Sequence, residues 1–510
     1  MTSVYSGRDA PNPTGSKVLT VFTILTLLCA VSVLVTWSVS IPPVLIQGFS
    51  FGSNSDESAR GNSSSLKEAD PFNDWTQRSK FWWRNHSLDP NWSGRQRLHD
   101  ELKDGVLWFD QDLEDYFISK LEANQMPSNC SANFWIAHRT PDSGLLSCVH
   151  TFIPVLLMGM VKGEGYTVVP IAQTTIQSNL STFIGCGDQN DKHVGCFFNV
   201  TSCSRNDDPI RNEQIVHKSL GFRGASWDSL LKTQVTGQGG MTILRDFLYR
   251  NEKAKDPWRA PKTRLWKELL EHGSAGVHNR TSKVAKSALR DGQVDFALMA
   301  MVSAWMMSRT STSVKNIAHH IMAKYADSNG RPLWRPPVIA MHIRQTDKRM
   351  EDPYYRAHGK YRGVRDYVDL MKTMETKHAF QWASVFIISD SGTAIDSFAR
   401  VLNGVGLGRA PDSMNGRDGK RFIMYDWSWD DKLIERTGGH LAIPPPMKFA
   451  AQEHFLATLY IIHKIADYAY VSYSSNVGRF VGELVGARHK LAMELPLGPN
   501  AYSWDSAIGF

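Results

Sequence analysis

The segment Val338-Ile339-Ala340-Met341-His342-Ile343-Arg344-Gln345-Thr346-Asp347-Lys348-Arg349 runs from four apolar positions into His-x-Arg and then a dense polar cluster. That is the pattern of a buried strand delivering charged groups at its C-terminal end, the edge at which open α/β sheets bind ligands. His342 and Arg344 lie two apart, so on a strand their side chains share one face. Arg344 and Lys348, four residues apart with a histidine beside them, suit a diphosphate attached to a base. Taken alone, the segment reads more readily as a strand ending in a solvated charged turn. The chain downstream decides between the two.

From Pro336 onward the spacing predicts strands at 338–343, 384–389, 421–425, 468–473 and 489–493, with amphipathic helices near 364–376, 393–403, 448–466 and 476–486. Strand–helix alternation with short connections predicts a parallel, doubly wound sheet. Upstream, Val149 to Met160 reads as an apolar helix stopped by Gly163 and Gly165, and Tyr166 to Ile171 as a strand. A helical stretch from Val284 to Tyr325, interrupted near Ser308 to Ser313, is rich in Ala and Met, and the methionines read as core filler. Residues 172–280 are polar, Gly-rich and irregular. Gly330-Arg331-Pro332, followed by Pro336-Pro337, marks a junction. The expected architecture is α/β: an N-terminal α/β domain over 96–330 and a C-terminal Rossmann-like domain over 331–510, facing one another across a cleft.

At 510 residues the chain exceeds one ordinary core. Apolar content of 42% and charged content of 21% exclude a largely disordered polymer. A formal charge of +7 suits a polyanionic ligand, but long Lys/Arg runs are absent and no nucleic-acid partner is expected. Val18 to Ile41 contains no charged residue, a length able to span a bilayer core of roughly 30 Å. Arg8 and Lys17 precede it and the next basic residue is Arg60, which places residues 1–17 in the cytoplasm and the rest across the membrane. The reading is a type II signal anchor over 18–41, then a Ser/Gly/Asn-rich luminal stem to residue 95. Trp75, Phe81, Trp82, Trp83 and Trp92 in that stem read as residues that pack on the domain, with sugar stacking as the alternative.

Two further signals bear on the compartment. Asn-x-Ser/Thr sequons stand at Asn62, Asn85, Asn91, Asn129, Asn179, Asn199 and Asn279. Cysteines 130, 148, 186, 196 and 203 cluster without a Cys-x-x-Cys pair, which reads as disulfides in an oxidising lumen. The expected pairs are Cys186 with Cys196 and Cys130 with Cys203, leaving Cys148 on the apolar helix.

Three strand ends of the C-terminal half carry polar residues. Beside His342 and Arg344 stand Ser389-Asp390-Ser391-Gly392 and Ser472-Tyr473-Ser474-Ser475-Asn476, each opening a helix. Backbone N–H groups at a helix N-terminus, aided by Ser hydroxyls, form an anion site. Singly, each Ser or Asp is an ordinary N-cap; together, beside His-x-Arg, they point to a diphosphate.

At this point His342-Ile343-Arg344-Gln345-Thr346-Asp347-Lys348 resembles the His-x-Arg-x-Thr-Asp-Lys motif of alpha-1,6-fucosyltransferases. Val385 to Asp390 resembles a second block of that family, and Ala466-Asp467-Tyr468 through Ser474-Ser475-Asn476-Val477-Gly478-Arg479 a third. The likeness covers about the last 175 residues; Ser147-Cys148-Val149-His150 is a fainter echo in the N-terminal half. The resemblance implies a GT-B fold of two Rossmann-like domains and a GDP-fucose donor. It assigns His342 to guanine, Arg344 to the β-phosphate, Asp347 and Lys348 to the shape and charge of the pocket, Asp390 to the donor pocket, and Ser474 and Ser475 to phosphate contacts. Asp352, with Glu351 beside it, takes the place of the carboxylate that deprotonates the acceptor hydroxyl. Gln345 stands where the family pattern has a second Arg, Val471 and Gly478 where it has a disulfide pair, and Leu459 where it has a base-binding Asp, with Glu453 the nearest acid.

Other motifs lose on context. Asp110-Gln111-Asp112 reads as a solvated helix face, Gly404-x-Gly406-x-Gly408 follows a helix when a dinucleotide loop would open one, and His319-His320 reads as structural. The expected molecule is a Golgi-membrane transferase moving fucose from GDP-fucose to a glycan, of alpha-1,6 type, inverting, with no metal and no cofactor beyond the donor. Its partners are the donor, the glycan acceptor and the bilayer, with a homodimer as one assembly the reading admits. The alternatives are a transferase of another GDP-sugar and a catalytically silent luminal binding protein of the same fold.

Overall fold

The computed structural model describes residues 111–130, 134–139, 144–163, 165–171, 194–203, 242–243, 265, 268–269, 293–345, 355, 358–403, 421–426, 445–472, 475–486 and 491–494. The segments expected to form the anchor and the stem, together with Cys186, Asp347, Lys348, Glu351, Asp352 and Ser474, lie outside them. Among the described residues no helix is long and apolar enough to cross a membrane.

The first half comprises α1 (Gln111–Gln125), β1 (Phe134–Arg139), α2 (Leu145–Lys162), β2 (Tyr166–Ile171), β3 (Thr242–Ile243), α3 (Gln293–Ser308) and α4 (Thr312–Lys324). β2, β1 and β3 form a parallel sheet in that order. Gly163 and Gly165 end α2 with φ of 118° and 86°, positions where a Cβ would be strained. α3 is apolar on nearly every side, the composition of a helix sunk in a core, and its Met299, Met301, Met306 and Met307 are all buried.

The second half comprises β4 (Val338–Ile343), α5 (Val364–His378), β5 (Ser384–Ser389), α6 (Gly392–Asn403), β6 (Phe422–Tyr425), α7 (Pro445–Ile465), β7 (Tyr468–Val471), α8 (Asn476–Gly486) and β8 (Leu491–Glu494). All five strands are parallel, in the order β6-β5-β4-β7-β8. Every residue of β4 and β5 is buried, because helices cover both faces of a parallel sheet and its strands read as unbroken apolar runs. Alternation sorts the side chains. Ile339, Met341 and Ile343 pack with Val368 and Met371 of α5 and Phe398 of α6, whereas Val338 and Ala340 join Leu456 and Ile461 of α7 and Phe480 and Leu484 of α8.

That second cluster continues through α3, α4, α2 and α1. α3 lies along α8, and α4 along α7. Cys130 and Cys203 are bridged with Cα atoms 5.5 Å apart, as the sequence led us to expect. Cys196 is also disulfide-bonded, to a partner outside the described residues, while Cys148 is buried on α2. Asn129 and Asn199, the two sequons among the described residues, are both exposed.

Candidate functional site

In sheet order the chain leaves β4 toward β5 and β6, then crosses to β7 on the other side of β4. The C-terminal ends of β4 and β7 therefore flank the topological switch point, where helices depart to opposite faces and leave a crevice. β4 brings His342 and Arg344 to that crevice. β7 brings Ser472, Ser475 and the N-terminus of α8.

The three polar strand ends meet on Arg344. Its Nη1 donates to Ser475 Oγ at 2.9 Å, and its Nε lies 3.9 Å from Asp390 Oδ2. The second contact is a loose ion pair, unlike the two-pronged fork an arginine makes with an ideally placed carboxylate. Asp390 also accepts the Gln345 backbone N–H at 2.7 Å, which braces the strand end that carries Arg344. Behind it, Ser389 Oγ donates to the Ile343 carbonyl at 2.7 Å, and Ser391 Oγ accepts from Ala394 N as the cap of α6. Gln345 Nε2 donates to the Arg362 carbonyl at 3.2 Å, tying the segment before α5 to the motif.

Ser475 is the N-cap of α8: its N–H bonds the Ser472 carbonyl, and its own carbonyl accepts from Arg479. The N–H groups of the helix's first turn have no acceptor within the helix, so they present a partial positive charge beside Arg344. Gly478 makes this approach physical. A Cβ there would run into the carbonyl of Ser472 and come within 2.9 Å of His342 Nδ1. Only glycine lets the first turn sit so close to both strand ends. His342 itself is 3% exposed, and burial, helped by the Arg344 charge, pushes its imidazole down to about 3. It is neutral at physiological pH and can offer a hydrogen bond but no charge.

On the far side of α8 lies a group of polar residues that the sequence reading did not assemble. Asn476 Nδ2 donates to Ser147 Oγ at 2.5 Å, and His150 Nδ1 lies 3.2 Å from Asn476 Oδ1. His150 Nε2 lies 3.1 Å from Glu483 Oε1, an ion-pair distance, and Ser303 Oγ donates to Glu483 Oε2. One sequence signal pointed here: Glu483 is the lone acid in an otherwise apolar helix face and is 0% exposed, so a partner was required. Leu459 is also 0% exposed, packed in the apolar core. No group of metal-ligating side chains occurs among the described residues.

Comparison with models of known protein families and with curated proteins yields no match. Among solved structures, the chain is similar to a point mutant of FUT1 from Arabidopsis thaliana in complex with GDP. The two are 10% identical with a TM-score of 0.31, over 78% of each chain. A similarity that distant says nothing about what this chain binds.

Proposed function

We propose that the crevice between β4 and β7 binds the diphosphate of a GDP-sugar, and that the protein is a glycosyltransferase. The observation that carries this reading is the Arg344–Ser475 contact across the switch point, with the α8 N-terminus beside it. By the resemblance of the sequence blocks, the sugar is fucose and the acceptor a glycan of alpha-1,6 type. On the same resemblance the two α/β halves stand as the domains of a GT-B enzyme, and the uncharged run of residues 18–41 is long enough to anchor it in the Golgi membrane.

In this reading Arg344 binds the β-phosphate and the neutral imidazole of His342 serves guanine. Asp347 and Lys348 line the pocket, Ser474 and Ser475 hold phosphate oxygens, and Asp390 fixes Arg344. Asp352 or Glu351 takes the proton of the acceptor hydroxyl as its oxygen attacks the anomeric carbon. The bond from that carbon to the β-phosphate oxygen breaks, GDP leaves, and the anomeric centre inverts. Charge growing on the departing diphosphate is met by Arg344, Lys348 and the helix N-terminus, a set that can stand in for a divalent cation. The test is a donor panel of GDP-fucose, GDP-mannose and UDP-sugars against N-glycan acceptors. Transfer from GDP-fucose alone supports the full reading, and turnover only of UDP-sugars overturns it.

A second reading, a catalytically silent GDP-sugar-binding protein, is favoured by Leu459: a buried core leucine cannot take the place of a base-binding acid. GDP binding with no transfer from any donor in the panel would select it.

A further inference from the structure

Five polar side chains from three distant segments meet in the otherwise apolar contact among α2, α3 and α8: Ser147, His150, Ser303, Asn476 and Glu483. His150, Ser303 and Glu483 are each no more than 8% exposed, and the His150 ring also meets Phe480 edge-on at 5.9 Å. Apolar residues of like volume would hold such a contact at least as firmly, since burying charged and polar groups is costly even when they are paired. What the polar set supplies is direction. Arg479 Nη1 donates to Asn476 Oδ1 at 3.2 Å, which identifies that atom as the amide oxygen. Asn476 Nδ2 then points at Ser147, and His150 Nδ1 must carry a hydrogen toward Oδ1. The rotation and axial position of the first turn of α8 are thus set from α2. Asn476 is the next residue after Ser475, whose hydroxyl holds Arg344.

We propose that Ser147 and His150 of α2 are positioning residues for the anion site: through Asn476 they hold the α8 N-terminus in register with Arg344. The inference rests on the diphosphate reading of that site. It extends the reading by making binding at one strand end depend on a helix of the other half of the molecule. Neither residue touches the ligand, so their loss should weaken the grip on the terminal phosphate in particular, leaving the rest of the nucleotide contact unchanged.

The experiment is calorimetric titration of the detergent-solubilised full-length chain with GDP and with GMP, for wild type, Ser147→Ala, Ser147→Thr and His150→Ala. Thermal unfolding is recorded for each. The expected result is an approximately tenfold weaker GDP affinity in Ser147→Ala and His150→Ala, the scale of one lost orienting hydrogen bond, with GMP affinity unchanged and Ser147→Thr restoring the wild-type ratio. Should His150→Ala fail to fold, Ser147→Ala decides alone, because it strands no buried charge. Wild-type GDP affinity in Ser147→Ala overturns the inference and leaves the functional reading standing. Equal losses for GDP and GMP, unrescued by Thr, reduce the network to a purely structural one and also overturn it. Absence of GDP binding by the wild type overturns the functional reading, and this inference with it.

Discussion

Arg344 and Gly478 show how closely the site depends on single atoms. A methyl group at position 478 would strike the Ser472 carbonyl and the His342 ring, so Gly478→Ala should push α8 away from β4. The expected cost is about 1–3 kcal/mol of stability, typical of overpacking, read as a lowered midpoint in denaturant with GDP binding weakened in parallel. His342 makes a prediction about pH. Its folded-state proton affinity is depressed, to about 3, so the unfolded chain takes up a proton first as pH falls. The contribution is therefore complete above about pH 6.5 and is lost on going from there toward 3, by up to about 1.4 kcal/mol per pH unit. His342→Gln should flatten the wild-type slope in that window while matching it at pH 7–8. An identical slope in the variant would mean that the imidazole is not the titrating group. Residues at this scale were legible where chemistry and spacing coincide: His342, Arg344, Asp390 and Ser475 sit at strand ends, and the structure brings the last three into contact. Ser147 and His150 were not legible as site-supporting residues, because their partners lie more than 300 positions away in sequence.

The elements were read most accurately where burial is two-sided. The predicted 338–343 and 384–389 strands match β4 and β5 to the residue, since a central parallel strand is an apolar run with sharp polar ends. Errors concentrate where a local signal competes with a tertiary contact. β7 stops at Val471, short of the expected 473, because Ser472 turns its carbonyl to receive the Ser475 N–H. α7 begins at Pro445, earlier than the predicted 448: prolines that read as breakers are tolerated in a first turn that needs no N–H acceptor. The 172–280 region yielded little, since its described stretch at 194–203 is organised by disulfides and by bonds to the α3–α4 turn, with no periodicity to reveal it. The Cys130–Cys203 bridge closes a loop of 73 residues, so Cys130→Ser/Cys203→Ser should cost about 4 kcal/mol on a chain-entropy basis. Equilibrium denaturation of the double variant checks this, and an unchanged midpoint would show that the bridge constrains little.

For the whole molecule, the strand order around β4 is what turns separate polar caps into one site. On the proposed reading, a crevice at a switch point, with an arginine on one wall and a helix N-terminus on the other, would hold an anionic diphosphate with protein groups alone. Transfer should therefore persist in excess EDTA, and strict dependence on added Mn²⁺ would sink this mechanism. The most direct measurement is fucose transfer from GDP-fucose by full-length wild type, Arg344→Lys and Arg349→Lys, all shown to be folded. Arg344→Lys retains the charge but loses the planar fork that reaches Ser475 and the phosphate together, so kcat/KM should fall on the order of 100-fold or more, with Arg349→Lys near wild type. Near-normal transfer by a folded Arg344→Lys variant would contradict the account, because the β4–β7 crevice could not then be where the diphosphate is held.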